Sequence, residues 1–404
     1  MNVRIIPSVL RGNVKAPPSK SMAHRHLICA ALADGISVVT GVEYSEDILA
    51  TMDCMTAIGA KFDVQGSTVT VDGRGMFKGE STELNCRESG STLRFLIPLA
   101  LCCGKSMTFR GQGRLMDRPM DIYEDLCREK GFLFTRGPGE IKVCGHLTSG
   151  AYTIRGDVSS QFISGMIFAL STCAGDSRIT VLPPFESRSY VLLTLFMLNK
   201  AGVRAEFTDE YTIYIPGGQQ YQPISGAVEG DYSNAAFLDA FNCVGGDVKV
   251  DGLWEDSLQG DRVYQTHYPA LCDGTPVIDI ADCPDLGPIF MALAALKNGA
   301  VFTNTARLAA KESDRGAAMA EELRKIGVSP ICEENRIIIP NGCTVHAPAD
   351  SINGHNDHRI VMAMAVVLSR VGGEIAGAEA VRKSYPSFFD TMESLGGKIE
   401  YNDY

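Results

Sequence analysis

One local pattern recurs along the chain and restricts its fold more than any other feature: an amphipathic helix, a glycine, a strand, a polar turn and a second strand. It occurs as ILATMDCMTAIGAKFDVQGSTVTVDG, YEDLCREKGFLFTRGPGEIKVCG, LLTLFMLNKAGVRAEFTDEYTIYIPGG, AMAEELRKIGVSPICEENRIIIPNG and finally FFDTMESLGGKIEY. Apolar residues recur at i, i+3 and i+4 in the helical half and at alternate positions in the strand half. The period changes at the glycine, which is expected to cap the helix. Self-similarity of this kind predicts an α/β fold built from repeats.

The spacing of the capping glycines predicts the number of repeats. The caps are expected at Gly59, Gly131, Gly202, Gly327 and Gly397. They lie about 70 residues apart, except that the interval from 202 to 327 has room for two shortened units. Six units are therefore expected, the fourth being degenerate around Trp254 to Ile280. Six units in 404 residues divide naturally into two domains of three. A continuous solenoid is the alternative, but its usual period is only about 20–50 residues.

Composition excludes several classes of protein. The formal net charge of -11 argues against a nucleic-acid-binding surface, which needs a broad basic face. No apolar run is long enough to span a bilayer, and the N-terminal MNVRIIPSVLRG does not resemble a secretory or organellar leader. Thirteen cysteines without metal-ligand spacing predict reduced, mostly buried thiols in a cytoplasmic protein.

Cationic residues nevertheless recur in short polar turns of this acidic chain. They are Lys20 and Arg25 beside Ser21, Arg94 beside Gly90 and Ser91, Arg118, Lys311 and Arg315 beside Glu312, Arg359 beside His358, and Lys383. A single such residue is usually solvated surface charge. Several of these, however, stand where a Gly-, Ser- or Pro-containing turn gives way to an apolar helix, whose free N–H groups attract anions. The set predicts a site for phosphate and carboxylate groups.

Helix starts also carry serines and carboxylates. Ser159, Ser160 and Gln161 precede an apolar helix, and so does Asp285; each could be a helix cap or part of a site. Glu312 is flanked by two cations, so it is expected to stay ionised and could exchange protons with a bound reactant, unless the segment is an exposed charge ladder. His24 and His26 face different directions on a helix, which disfavours a metal site.

In combination, the segments PPSKSMAHR, ESGSTLR, DRPM, SSQ, EGDYSNAAF, a PD pair before an apolar helix, KESDR, NDHR and KSYPSF resemble the 5-enolpyruvylshikimate-3-phosphate (EPSP) synthase family, in the same order and over essentially the whole chain. The resemblance implies two inside-out α/β barrel domains, each of three βαβαββ units, joined by two crossover segments. The implied domain bounds are 1–18 with 230–404 and, inserted between these segments, 19–229.

The family joins shikimate 3-phosphate to phosphoenolpyruvate and releases phosphate, with no metal or organic cofactor. The resemblance implies that Ser21 and Arg25 hold the shikimate carboxylate. Its phosphate would be held by Ser159, Ser160, Ser187 and Lys311, with Gln161 and Tyr190 against the ring. Phosphoenolpyruvate would be bound by Arg118, Arg315, Arg359 and Lys383, with Gln161, Gly90 and His358 beside it. Lys20 would touch both substrates.

The chemistry requires proton transfers at two places. The 5-hydroxyl loses a proton as it attacks C2 of the enol, and C3 gains one, which gives a tetrahedral intermediate. This intermediate then loses a proton from C3 and expels phosphate. The resemblance implies Asp285 as the base toward the hydroxyl and shikimate 3-phosphate contact, Glu312 as proton donor and acceptor at C3, and Lys20 as stabiliser of the departing phosphate. A monomer with no nucleic-acid or membrane partner is expected.

Two positions depart from the family pattern, and several rivals stay open. Arg307 replaces an asparagine of some members, and Glu88 adds an anion close to Gly90. The nearest rival is the sister enolpyruvyl transferase that acts on UDP-N-acetylglucosamine; it carries a reactive cysteine where Gly113 stands here. The others are a noncatalytic anion-binding module and a relative of RNA 3′-phosphate cyclase.

Overall fold

The computed structural model describes residues 1–402, which divide into two compact units. The inserted unit is the contiguous segment Lys20–Glu229. The flanking unit combines Met1–Ser19 with the chain from Gly230 onward. The chain therefore crosses from one unit to the other twice, after Ser19 and after Glu229.

Each unit contains six of the α-helices found within residues 1–402. Those of the inserted unit are α1 (Lys20–Leu32), α2 (Glu46–Ile58), α3 (Gly90–Cys102), α4 (Asp121–Lys130), α5 (Ser160–Leu170) and α6 (Arg188–Lys200). Those of the flanking unit are α7 (Tyr232–Cys243), α8 (Tyr264–Asp273), α9 (Gly287–Leu296), α10 (Arg315–Lys325), α11 (His358–Val371) and α12 (Phe388–Ser394).

The strands of the inserted unit form three four-stranded sheets. In spatial order they are β14 (Ser225–Ala227), β3 (Ile36–Thr40), β5 (Thr68–Asp72) and β4 (Lys61–Gln65); then β6 (Glu83–Asn85), β7 (Met107–Arg110), β9 (Glu140–Cys144) and β8 (Leu133–Gly137); then β10 (Ala151–Arg155), β11 (Ser177–Leu182), β13 (Thr212–Ile215) and β12 (Glu206–Phe207).

The flanking unit has two four-stranded sheets and one two-stranded sheet. They are β15 (Asp247–Asp251) with β2 (Arg11–Lys15); β16 (Val277–Asp279), β17 (Ala300–Thr303), β19 (Arg336–Ile339) and β18 (Ile331–Glu333); and β20 (Ile352–Asn353), β21 (Gly373–Ala376), β1 (Asn2–Ile6) and β22 (Lys398–Asn402).

Four of the five four-stranded sheets share one topology. Their first two strands are parallel and joined by a helix, and an antiparallel pair completes the sheet. In the remaining sheet the parallel partner of β3 is β14, which comes from the end of the inserted unit. In the last sheet β1 lies between β21 and β22 and pairs antiparallel with both. In the other four-stranded sheets this third position is held by the second strand of the closing hairpin. The degenerate fourth repeat consists of β2, α7, β15 and α8. It has no closing hairpin among the described residues, and the segment after α8 opens the next repeat at β16.

Glycines end the second helix of the repeats, with one correction to the expected positions. Gly59, Gly131, Gly202 and Gly327 have φ values of 126°, 70°, 72° and 92°, a region that side chains disfavour. After α12 the left-handed residue is Gly396 (φ 91°), so the prediction of Gly397 was wrong by one position. Gly397 is needed for a different reason, since a Cβ there would lie 2.7 Å from the carbonyl oxygen of Met392.

The first helix of each repeat lies in the hydrophobic core. Nearly every residue of α1, α3, α5, α7, α9 and α11 is buried, and these helices contribute to two separate cores, one in each unit. A helix with buried sides meets solvent at its ends, so polar residues at these helix starts are positioned by the fold.

Two further expectations concern thiols and membranes. All thirteen cysteines are free, but only five are buried, seven are partly exposed and Cys332 is exposed, so the expectation of mostly buried thiols was wrong. Several of the partly exposed cysteines end a helix or a strand, as Cys102, Cys243 and Cys144 do. Within residues 1–402, no helix combines the length and apolarity needed to cross a bilayer.

Candidate active site

The serine-rich motifs of the inserted unit lie at helix starts, as predicted. α1 begins at Lys20, α3 follows an N-cap at Ser89, and Ser159 caps α5 by accepting a hydrogen bond from the N–H of Gln161 at 3.3 Å. Ser187 precedes α6 in a left-handed conformation (φ 53°), which is uncommon for a non-glycine residue. The N–H groups at helix starts of this kind are suited to phosphate oxygens.

Arg25 is a buried cation on α1. Its side chain is 2% exposed, and it donates to Thr194 Oγ1 at 2.9 Å, to the Ser21 carbonyl at 2.6 Å and to the Tyr190 carbonyl at 2.8 Å. These three contacts are neutral, and burial lowers the pKa of Arg25 to about 10. A guanidinium has five N–H groups, so Arg25 retains donors for an anion, which would also offset the cost of its burial.

A second cationic group surrounds Gly90. A Cβ at this glycine would lie 2.8 Å from Arg118 Nη1 and 3.3 Å from Arg94 Nη1, so the two buried guanidinium groups converge on its backbone. Arg94 Nη1 donates to Gln161 Oε1 at 2.8 Å, and Gln161 Nε2 donates to Ser91 Oγ at 2.9 Å. Glycine therefore leaves room here for the close approach of both guanidinium groups.

Lys20 has an acidic partner that the sequence did not reveal. Its Nζ lies 2.9 Å from Asp47 Oδ2 on α2, and both side chains are largely buried. Asp47 resembles an ordinary acidic residue in the first turn of a helix, where it complements the dipole, so nothing in the pattern distinguished it.

The nearby histidines are separate structural residues. His24 Nδ1 lies 2.8 Å from Thr51 Oγ1, which in turn lies 2.7 Å from Thr92 Oγ1. Burial, reinforced by Lys20 and Arg25, keeps the pKa of His24 well below its usual value, so its ring is neutral. His26 Nδ1 instead lies 3.0 Å from the carbonyl of Met22 on the same helix.

In the flanking unit, Arg315 joins three carboxylates. Its Nη1 is 2.7 Å from Asp285 Oδ1, its Nη2 is 2.8 Å from Glu312 Oε2, and its Nε is 2.9 Å from Asp357 Oδ2. Lys311 Nζ also contacts Asp285 Oδ1, at 3.1 Å. The segment KESDR thus contributes to a partly buried ion network centred on the buried Arg315, and the reading as an exposed charge ladder is wrong.

This network determines the charge on Asp285. Burial alone would raise the pKa of its carboxyl group, but Lys311, Arg315 and Arg359 hold that pKa well below its usual value. Burial lowers the pKa of Lys311. The cations Arg315 and Arg307 lower it further, whereas Asp285 raises it. Arg307, the departure from the family pattern, is therefore a further cation near Lys311; its Nη1 donates to the Ala281 carbonyl at 3.1 Å.

Asp357 also organises the start of α11. It caps this helix by accepting from the N–H of Arg359 at 2.9 Å, and it accepts from Ser313 Oγ at 3.0 Å. Arg359 Nη2 approaches Asp285 Oδ2 at 3.8 Å, and the imidazole of His358 is buried beside Asp357. Lys383 Nζ donates at 2.7 Å to the carbonyl of Asn356, the residue immediately before the cap Asp357.

The flanking unit therefore brings together Asp285, Lys311, Glu312, Arg315 and Arg359, with Lys383 tied to the adjacent turn. The inserted unit gathers Gly90, Arg118 and Gln161 in one place and ties Arg25 to Ser21 and Tyr190 in another.

Comparison with known proteins decides the family. The family model described as EPSP synthase (3-phosphoshikimate 1-carboxyvinyltransferase) matches residues 5–392. The chain belongs to the EPSP synthase family. A 3-phosphoshikimate 1-carboxyvinyltransferase from Clostridium kluyveri is 39% identical over 421 residues, and one from Clostridium perfringens is 37% identical over 423; each comparison covers 98% of both chains.

Solved structures support the fold. The structure of an EPSP synthase from Acinetobacter baumannii superposes with a TM-score of 0.79 at 24% identity, covering 99% of this chain and all of that one. The mixed α/β architecture of several small sheets is thus that of EPSP synthase structures. Membership of the EPSP synthase family also makes the chain a transferase of the shikimate pathway, which serves aromatic amino acid biosynthesis.

The structure also bears on the rival sister family. Gly113 has φ 54°, and a Cβ there would lie 2.3 Å from Glu88 Oε1. A cysteine at this position would collide with that carboxylate and adopt a strained backbone. Glu88 therefore packs against Gly113, which separates this EPSP synthase relative from enzymes that need a reactive cysteine there.

Proposed function

We propose that the protein transfers the enolpyruvyl group of phosphoenolpyruvate to the 5-hydroxyl of shikimate 3-phosphate and releases phosphate through a tetrahedral intermediate. The observation that carries the proposal is the network of Lys311, Asp285, Arg315 and Glu312. It combines cations for anionic substrates with two carboxylates able to move protons. Family membership over nearly the full chain makes this assignment preferable to a noncatalytic module or an RNA-directed enzyme.

The assignment of shikimate 3-phosphate contacts follows the family resemblance. We assign Lys20, Ser21, Arg25, Ser159, Ser160, Gln161, Ser187, Tyr190, Asp285 and Lys311 to this substrate. The lowered pKa of the buried Arg25 supports its role, because a carboxylate would supply the charge that its present partners lack. The helix starts at Ser160 and after Ser187 support the phosphate contacts.

For phosphoenolpyruvate we assign Lys20, Gly90, Arg118, Gln161, Arg315, His358, Arg359 and Lys383. The convergence of two guanidinium groups on Gly90 supports the part of this set in the inserted unit. The buried helix start at Asp357 supports the part in the flanking unit.

The proposed proton transfers depend on how substrates change the network. Free of substrate, Asp285 is ionised but a weak base, because three cations lower its pKa. A substrate phosphate on Lys311 would neutralise one of them, so the proton affinity of Asp285 would rise when the hydroxyl is bound. Glu312 would donate and accept the proton at C3 of phosphoenolpyruvate, and Lys20 would stabilise the departing phosphate.

We further propose that each unit is an inside-out α/β barrel of three repeats, and that the domains are 1–18 with 230–404 and 19–229. The three sheets and the buried first helices of each unit support this architecture. A monomeric state and a cytoplasmic location complete the proposal.

A turnover assay tests the proposed function. We expect phosphate to be released only when shikimate 3-phosphate and phosphoenolpyruvate are both present, and EDTA to leave the rate unchanged. Each substrate is also supplied alone, and UDP-N-acetylglucosamine replaces shikimate 3-phosphate in a third reaction. Release with the nucleotide sugar, or activity lost with EDTA and restored by a metal, contradicts the proposal.

Gly90→Ala tests the assigned phosphoenolpyruvate contacts. The added methyl group would lie 2.8 Å from Arg118 Nη1 and displace that guanidinium. The methyl group takes room that Gly90 leaves at the phosphoenolpyruvate position, so we expect inhibition by glyphosate, the family's inhibitor there, to weaken by roughly tenfold, or about 1.4 kcal/mol. KM for phosphoenolpyruvate should rise less. Inhibition constants and KM are measured for both proteins. Gly226→Ala is the control, because a Cβ there meets nothing within 4 Å. Equal losses for inhibitor and substrate would contradict the steric argument.

A further inference from the structure

A buried carboxylate outside the assigned site lies on the same helix as Arg315. Glu322 follows Arg315 by seven residues on α10, which is two helical turns, so both side chains point from one face. Glu322 is 0% exposed. A charged residue this deeply buried needs a structural or functional reason.

Both residues hold the same short segment, Asn353–Asp357. Arg315 binds its last residue, Asp357. Glu322 Oε2 accepts from the N–H of Asn353 at 3.0 Å, and Glu322 Oε1 accepts from His355 Nε2 at 2.8 Å. Two charged side chains of α10, Arg315 and Glu322, therefore bind the segment near its two ends.

Between these two contacts, the backbone adopts a conformation that it would not keep unaided. His355 and Asn356 have φ values of 49° and 51°, in the left-handed region. Consecutive non-glycine residues there cost conformational free energy and persist only where surrounding contacts hold them. Glu322 provides such contacts.

This strained turn also positions groups that are assigned to the binding of phosphoenolpyruvate. The Asn356 carbonyl accepts from Lys383 Nζ at 2.7 Å. The residues that follow are Asp357, His358 and Arg359, at the start of α11. A relaxed turn would move this carbonyl and change the direction in which α11 begins.

We propose that Glu322, acting through His355, is a positioning residue for the phosphoenolpyruvate side of the site, holding the left-handed turn that orients Lys383, His358 and Arg359. This inference rests on the proposed function. Burial would raise the pKa of Glu322, but hydrogen bonds from His355, Lys325 and the Asn353 N–H keep it below its usual value, so the carboxylate is ionised in its role as acceptor.

A metal site is the competing explanation for the same residues. The ligand atoms of Glu321, Glu322 and His355 lie within 4.8 Å of one another. However, Lys325 Nζ lies 2.7 Å from Glu322 Oε2 and already supplies a positive charge, while also donating to the Ser351 carbonyl at 3.1 Å. Positioning explains these contacts without an ion.

The test compares Glu322→Gln with Glu321→Gln, its exposed neighbour on α10. For Glu322→Gln we expect KM for phosphoenolpyruvate to rise by roughly tenfold, KM for shikimate 3-phosphate to stay within about twofold, and kcat to change less than KM, as loss of a binding geometry predicts. Glu321→Gln should match the wild type. Combining Glu322→Gln with His355→Gln should add little to either single change, because both break one contact.

The outcomes separate this inference from the proposed function. Absence of turnover in the wild type contradicts the proposed function itself. Wild-type turnover with an unchanged KM for phosphoenolpyruvate in Glu322→Gln shows a merely structural role and overturns the inference. Equal effects of the two glutamate variants, with loss of wild-type activity in EDTA, indicate a metal site and also overturn it.

A second variant covers the case in which Glu322→Gln does not fold. His355→Ala removes the ring that Glu322 holds and keeps a side chain that disfavours the left-handed backbone. We expect a folded protein with a raised KM for phosphoenolpyruvate, since the turn is then free to relax. An unchanged KM in this variant overturns the positioning role.

Discussion

Replacing Glu312 by glutamine is expected to lower kcat by roughly 10²-fold or more while both substrates still bind. This is the usual scale of general acid–base catalysis, and glutamine cannot carry the proton proposed for C3. Its amide oxygen can still accept the hydrogen bond that Arg315 Nη2 donates to Glu312 at 2.8 Å, so the network should survive. Steady-state kinetics measures kcat, and solvent-hydrogen exchange into C3 of phosphoenolpyruvate reports formation and reversal of the intermediate.

Arg25→Ala is the matched comparison for binding without proton transfer. Its contact with the shikimate carboxylate would exist before and during the reaction, so the change should act mainly through KM for shikimate 3-phosphate. Exchange into C3 should survive at saturating substrate in this variant and fall in Glu312→Gln. If Glu312→Gln still exchanges at the wild-type rate, another group moves the proton at C3. Lys20 is then the next candidate.

Arg315→Met is expected to destabilise the flanking unit strongly as well as abolish activity. It removes the cation shared by Asp285, Glu312 and Asp357, and Asp357 is fully buried. Breaking a buried ion pair by removing one partner costs about 3–5 kcal/mol, because a charge is left buried and unpaired. Urea unfolding, followed by circular dichroism, should show a transition at lower urea concentration.

Two control variants separate the effect of the network at Arg315 from that of losing any ion pair. Arg315→Lys keeps the charge but lacks the planar fork that reaches three carboxylates, so its stability should lie between the wild type and Arg315→Met. Arg74→Met removes an exposed ion pair with Asp72 and should leave the transition nearly unchanged. If Arg315→Met unfolds at the wild-type urea concentration, the network does not stabilise the fold.

Local patterns predicted much of this molecule because they depend on nearby residues. Helix ends were predictable because a positive φ favours glycine, as at Gly59, Gly131, Gly202 and Gly327. One helix start was predictable because the hydroxyl of Ser159 can cap it. The six-unit count followed from the spacing of these glycines. The family resemblance added the assignment of roles to residues such as Lys311 and Glu312.

Contacts that join distant segments were not predictable in the same way. The EELRK segment resembles a solvated helix face, and nothing in it shows that Glu322 is buried against His355. Asp47 resembled a helix-start residue, although it pairs with Lys20. The sequence shows no partner for Asp357, because its contact with Arg315 spans 42 residues of chain.

The place of β1 in its sheet affects the order in which the protein can fold during synthesis. Every strand of the inserted unit exists once Glu229 has been made, so its sheets can form while the ribosome is still working. β1 is made before the inserted unit, but its partners β21 and β22 lie within Gly373–Asn402 and are made after it. Asn2–Ile6 must therefore wait for these partners while the inserted unit and most of the flanking unit are made, and their sheet is complete only after β22 has left the ribosome.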